Sequence, residues 1–271
     1  MKRFIISLGK GLALTAFWVA LWWLLSLAAG STFIPSPPEV ALRLAVLARE
    51  GEFYLTVGNS LLRILLGFVL GVVCGTLLAF LSRPAWMESL LSPLRVIIKA
   101  TPVASFIILA WIWLERAAIP VFIGALMVVP VVWHNVAVGL DSAPDLVLQF
   151  AKAYRLTPWQ TWRTIRLPAL LPHFASALLT GTGLVWKAGV AAEVLCQPPL
   201  SIGGNLYAAR QYFDTVDLFA WTLVVILISL LLEKTVAAFL NKTRQWLERE
   251  EKNDSGSRSV RHYGRRRGAA E

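Results

Sequence analysis

Long apolar runs that carry almost no charge constrain this chain more than anything else in it. Six of them read as membrane spans with soft ends: residues 11–29, 57–81, 96–114, 117–137, 174–195 and 218–240. About 20 residues cross the hydrocarbon core of a bilayer, and these runs fit that length. Lipid offers no hydrogen-bond partners, so a span must satisfy its own backbone and be helical. The expected fold is all-α: a polytopic membrane helix bundle of about six transmembrane helices, held in residues 1–240. The 57% hydrophobic composition over 271 residues agrees, being more than a soluble globule of that size needs.

The net charge of +10 raises nucleic acid as a partner, but its distribution argues against one. Lys2, Arg3, Lys10, Arg83, Arg95, Lys152, Arg155, Arg163 and Arg166 fall on one face of the predicted bundle. So do Lys242, Arg244 and the basic residues of the tail. The other face receives only Arg43, Arg49, Arg116 and Arg210. The inside-positive rule then places both termini and the loop over 141–172 in the cytoplasm. Lys2-Arg3 before an apolar run, with Ala28-Ala29-Gly30 after it, also fits a cleaved signal peptide. The run exceeds the usual apolar core of such a signal, which favours a retained first span.

The polar island over 141–172, between the fourth and fifth runs, is too patterned to be slack. Ser142 is placed to cap a helix with Pro144 in its first turn. Thr157, Pro158 and Gln160 form a second start, with a capping hydroxyl, proline at the first helical position and Gln at the third. Leu167-Pro168 is expected to stop that second helix. Two short helices meeting at a corner make a knob suited to docking. Elsewhere, Ser36-Pro37-Pro38-Glu39 forms a capping box that opens an amphipathic helix reaching about Glu50 and closed by Gly51. Gly67, Gly71 and Gly75 recur every four residues, a spacing that lets helix backbones meet in lipid. Packing within one bundle is the favoured reading, packing across a dimer the other. The outer segment 197–217 reads as ordered, with a short helix. Residues 241–271 read as a disordered basic tail whose Arg265-Arg266-Arg267 touches anionic lipid or is merely solvated. No internal repeat is visible.

No phosphate-binding loop, zinc-protease or hydrolase signature occurs, so the chain is expected not to be an enzyme and to bind no cofactor or metal. His134, His173 and His262 are scattered. Cys74 and Cys196 read as small apolar fillers. The charges at or inside the spans are Arg63, Lys99, Lys187, Glu193, Glu233 and Lys234, and each needs water, a partner or an interface within reach. Lys187 is the hardest to dismiss. It lies thirteen residues past Phe174, about 20 Å along a helix. Glu193, six residues on, is not on the same helical face. Lys187 either faces an aqueous path or pairs with a carboxylate on another span.

The knob carries a resemblance. The signature loop of ABC-importer permeases reads Glu-Ala-Ala, three residues, Gly, nine residues, Ile, one residue, Leu-Pro. Here the frame holds Gln149, Phe150 and Ala151, then Arg155, then Ile165, Leu167 and Pro168. The spacing fits throughout. Ala151, Ile165, Leu167 and Pro168 match, while the first Glu, the first Ala and the Gly are replaced. The wider pattern, from about Phe33 to Leu240, is similar to permeases of the nitrate/sulfonate/taurine type. That resemblance implies a multi-pass subunit of the bacterial inner membrane. It further implies two copies working with a separate ATP-binding subunit and an extracytoplasmic solute-binding protein. It makes 141–172 the cytoplasmic coupling loop, with Leu148, Phe150, Tyr154 and Trp159 as groove-filling contacts or packed on the chain's own spans. The fifth span, with Lys187 and Glu193, would line the translocation path. A non-glycine Arg155 must avoid or tolerate left-handed backbone, so the first short helix is expected to run through Arg155 and end near Thr157. The rival function is an ion-coupled secondary transporter using Lys187, Glu193 and Glu233 as a relay, for which no duplicated half is visible.

Overall fold

The computed structural model describes the backbone of residues 2–267 and the side chains of residues 13–240 and Lys242. No β-strand occurs among the described residues. The helices are α1 (Lys2–Ala29), α2 (Pro37–Leu47), α3 (Gly51–Leu81), α4 (Ala85–Ala100), α5 (Val103–Ala110), α6 (Ile119–Asp141), α7 (Asp145–Ala153), α8 (Pro158–Thr161), α9 (Leu167–Cys196), α10 (Ile202–Gln211) and α11 (Thr215–Arg267). A single π-helical turn, Trp162–Arg166, joins α8 to α9. Helix α11 continues through Arg267, past residue 241, where the sequence reading places an unstructured tail. The side chains of Arg265, Arg266 and Arg267 lie outside those described.

Among the described residues, four helices are long and apolar enough to cross a membrane: α3, α6, the continuous helical stretch Pro158–Cys196, and α11 over Thr215–Leu240. The apolar part of α1, Ala13–Ala29, is shorter. The expected third span, 96–114, is not one rod. Helices α4 and α5 meet at 101° across Thr101-Pro102. Proline removes a backbone donor and drives the residue before it out of the α region. Thr101 accordingly takes extended backbone, with ψ 130°.

The core lies between α3, α6 and α9, which pack closely because glycines remove side chains at the crossings. A Cβ on Gly67 would sit 2.6 Å from the Val121 carbonyl oxygen, and one on Gly75 would sit 2.8 Å from that of Val129. At Gly71 the nearest atoms are Val128 Cβ at 2.6 Å and the Ala125 carbonyl at 2.9 Å. The glycine stripe thus faces α6 of the same chain. Gly189 of α9 likewise receives Ile64, and Gly139 of α6 receives Leu170 and His173. Trp133, Trp186, Ile64, Val128, Val132 and Val136 fill the resulting core.

Helix α2 opens as its capping box requires, the Ser36 N–H donating to Glu39 Oε2 at 2.8 Å. It closes at Leu47, and Gly51 opens α3 rather than ending α2. Arg43 Nε binds Asp217 Oδ1 at 2.5 Å, tying α2 to the start of α11. The bond to that carboxylate pushes the Arg43 guanidinium above its ordinary pKa. Trp22 of α1 stacks on Phe219 and donates its indole N–H to the Pro35 carbonyl.

Candidate functional site: the bent loop and the face of α9

The loop departs from its sequence reading at both ends. Ser142 does not begin α7. It ends α6, and its hydroxyl donates to the carbonyls of Gly139 at 2.7 Å and Ala169 at 3.1 Å. That second bond ties the exit of α6 to the start of α9. Helix α7 starts one residue after Pro144.

It stops at Ala153, and Arg155 lies outside any helix with φ +50°. The expectation of a helix through Arg155 is wrong. The Leu156 N–H bonds the Ala151 carbonyl at 2.9 Å, and the Arg155 N–H bonds that of Lys152 at 3.0 Å. This pair of bonds defines a Schellman stop, whose pivotal residue is left-handed and usually glycine. Arg155 takes this left-handed backbone without being glycine.

The second start holds. Thr157 Oγ1 accepts from the Gln160 N–H at 3.3 Å, and Gln160 Oε1 accepts from the Thr157 N–H at 2.9 Å. Leu167-Pro168 does not end the helical path, and the chain enters α9 unbroken. Proline at a helix interior loses one bond and its ring strikes the carbonyl four residues back. The wider π turn just before Pro168 shifts that carbonyl ladder by one residue, with the Leu167 N–H reaching Trp162. Pro172, inside α9, removes another donor.

These features build a corner. Its outer surface shows Phe150, Tyr154 and Trp159, at 55%, 79% and 69% exposure. Ala151 is buried beneath them, and Leu148 and Ile165 are half-buried. Gln149, Asp145, Lys152, Trp162 and Arg166 line a cavity of about 560 Å³ in the crook. Leu167 and Pro168 are exposed at the root of α9.

On α9 the two path candidates are separated. Lys187 is exposed and makes no hydrogen bond or ion pair among the described residues. Glu193 is fully buried, at 0% exposure. Its Oε2 accepts from Ser60 Oγ at 2.8 Å and from the Gly203 N–H at 3.2 Å, and Arg63 Nη1 lies 3.5 Å from Oε1. Ser60 Oγ in turn accepts from the Ile202 N–H at 2.9 Å. Arg63 also donates to the carbonyls of Pro199 at 2.9 Å and Leu200 at 3.4 Å. Gly203 is needed here, since a Cβ on it would stand 2.4 Å from Glu193 Cβ. Glu193 thus clamps the start of α10 and the turn before it onto α3 and α9. Sequence reasoning saw Arg63 and Glu193 as misplaced charges. It missed Ser60, which lies 133 positions from Glu193, and Gly203, which is only ten positions away but beyond the end of α9.

Comparison with known proteins agrees with this architecture. Residues 67–244 match the family described as "Binding-protein-dependent transport system inner membrane component". A probable ABC transporter permease protein of Brucella abortus is 26% identical over 250 residues, covering 89% of this chain and 97% of the relative. A putative aliphatic sulfonates transport permease protein of Bacillus subtilis is 24% identical over 246 residues, covering 88% and 87%. A solved amino acid ABC transporter superposes with a TM-score of 0.57 at 15% identity, covering 70% of this chain and 93% of that one. The last likeness concerns the fold alone. The chain belongs to the binding-protein-dependent transport family and is a permease subunit of an ABC importer. It is a transport component carried by a membrane-spanning helical bundle.

Proposed function

We propose that the corner over residues 141–172 is the lever through which a separate ATP-binding subunit drives this permease. The observation that carries the reading is the exposed trio Phe150, Tyr154 and Trp159 on a corner braced from beneath by the Ser142–Ala169 bond. Large apolar rings left in water are what a partner groove buries. The lever is continuous with α9 through the π turn, so its displacement moves a span as a body. ATP is bound by that partner, and the permease supplies no catalytic group.

The basic-residue bias supports a cytoplasmic lever and cytoplasmic termini. Two copies of the chain form the solute path, and an extracytoplasmic solute-binding protein feeds it. Lys187, exposed at mid-span with no ion pair among the described residues, faces that path and attracts a small polar or anionic solute, in keeping with a sulfonate permease among the relatives. Glu193 supports the outer mouth by holding α10.

Phe150→Asp tests the lever. The variant permease should reach the membrane but retain less than about a tenth of the co-purifying ATPase subunit, since truncating or charging a buried interface anchor costs upwards of about 2 kcal/mol. Full retention, with full solute-stimulated hydrolysis, would remove the lever from this site.

A further inference from the structure

The exposed faces of two helices differ in kind. Between residues 62 and 81, α3 exposes Leu62, Leu65, Leu66, Val69, Leu70 and Val73, then Cys74 and further aliphatic and aromatic side chains. That surface suits lipid tails. Within the apolar part of α9 the exposed residues include Ser176, Thr180, Lys187 and Ala191 among a few leucines. A lysine in mid-span is costly against hydrocarbon.

Glu233 of α11 adds the opposite charge to the same place. Its Oε1 stands 3.3 Å from where a Cβ on Gly183 would be. Gly183 therefore opens the gap that lets a carboxylate lie against α9. Lys187 is four residues further along, about 6 Å up the helix axis and on the same face. Helical side chains lean toward the N-terminus, so the lysine reaches back over Gly183. Glu233 is exposed and, like Lys187, has no ion-pair partner among the described residues. Lys234 follows it but leaves α11 about 100° around the axis.

We propose that Lys187 and Glu233 form one mixed-charge station on the solute path, which takes a solute carrying both an anionic or acceptor end and a cationic or donor end. The inference rests on the reading that α9 faces the path. A lone lysine would select anions. A carboxylate one turn below cancels most of its field at long range and leaves two opposed local poles. A zwitterion or a neutral molecule with both hydrogen-bonding roles fits that pattern better than a simple oxyanion does, which narrows the polar or anionic solute of the lysine alone.

The test uses the full permease co-expressed with its ATPase subunit in membrane vesicles, with Cys74→Ser and Cys196→Ala as background. Leu184→Cys, between the two charges, is labelled with anionic (sulfonatoethyl) and cationic (trimethylammonioethyl) methanethiosulfonates. Both should react, at rates within about tenfold of each other. A unit charge 6–8 Å away in a watery site changes the ratio of the two rates roughly threefold to tenfold. Glu233→Gln should shift it toward the anionic reagent by that factor, and Lys187→Met should shift it the other way. A ratio moved by Lys187→Met but untouched by Glu233→Gln overturns the station while leaving Lys187 on the path. So does a parent ratio favouring the anion by much more than tenfold. Labelling only by a neutral, membrane-permeant maleimide puts the α9 face in lipid, and the path reading itself fails. If Leu184→Cys does not assemble, Ala191→Cys, one turn beyond Lys187, reads the Lys187→Met shift and Thr180→Cys, about one turn before Gly183, reads the Glu233→Gln shift.

Discussion

Gly71 in the core and Arg155 in the loop depart from ordinary backbone rules in opposite ways. Gly71 has ordinary helical backbone and no room: a Cβ there meets Val128 and the Ala125 carbonyl. Arg155 has room, being exposed, but sits at φ +50°, where a side chain is strained. The core is governed by volume, because three helices meet through their backbones. The loop is governed by dihedral angles, because α7 and α8 must turn a corner within the four residues Tyr154 to Thr157. A side chain at position 155 is kept in spite of the backbone, as the proposed contact with the ATP-binding subunit would require.

The largest effect that would break this contrast is expected in the core. Gly71→Leu puts a branched side chain into α6, where flexible atoms cannot yield because one obstacle is backbone. Overpacking by a methylene or two costs about 1–3 kcal/mol, and this change exceeds that range. The variant should lose its monodisperse peak in detergent. A variant that purifies normally and melts within a few degrees of the parent would show that α3 and α6 are not pressed together.

Glu193→Ala comes next. It leaves the buried Gly203 N–H and Ser60 hydroxyl without an acceptor and the partly exposed Arg63 guanidinium without its carboxylate. Removing one partner of such a buried pair costs about 3 kcal/mol. Amide exchange should rise most over residues 198–205, ahead of any change in α7. Equal protection in parent and variant would mean that α10 is held by packing alone.

The same contrast explains what could be read without coordinates. The glycine stripe was legible because its spacing is a property of one helix, and its direction followed from the favoured reading. The Thr157 box was legible because all its atoms lie within four residues. Ser142 was misread because its hydroxyl serves Ala169, 27 positions away. Pro168 was misread because the widened turn that accommodates it has no signature of its own. The bend at Thr101-Pro102 had its proline in view, but the apolar run around it outweighed that signal. Glu193 was found as a charge, but its partners on α3 and α10 were out of view. Long-range closure, more than local propensity, escaped the sequence.

Arg155→Gly should give the smallest effect and the one of opposite sign. Left-handed backbone costs a non-glycine residue about 1 kcal/mol, and glycine recovers most of it. Part is returned, because glycine also loosens the unfolded chain. A net gain of about 0.5 kcal/mol is expected at the corner, seen as roughly twofold slower exchange of the Leu156 amide, the donor that closes the Schellman stop. Solute-driven ATP hydrolysis sharpens the comparison. If the arginine is there for contact with the ATP-binding subunit, hydrolysis should fall while the corner becomes firmer. A firmer corner with unchanged hydrolysis would assign Arg155 no contact. Faster exchange would mean that its side chain, and not its backbone, holds the turn.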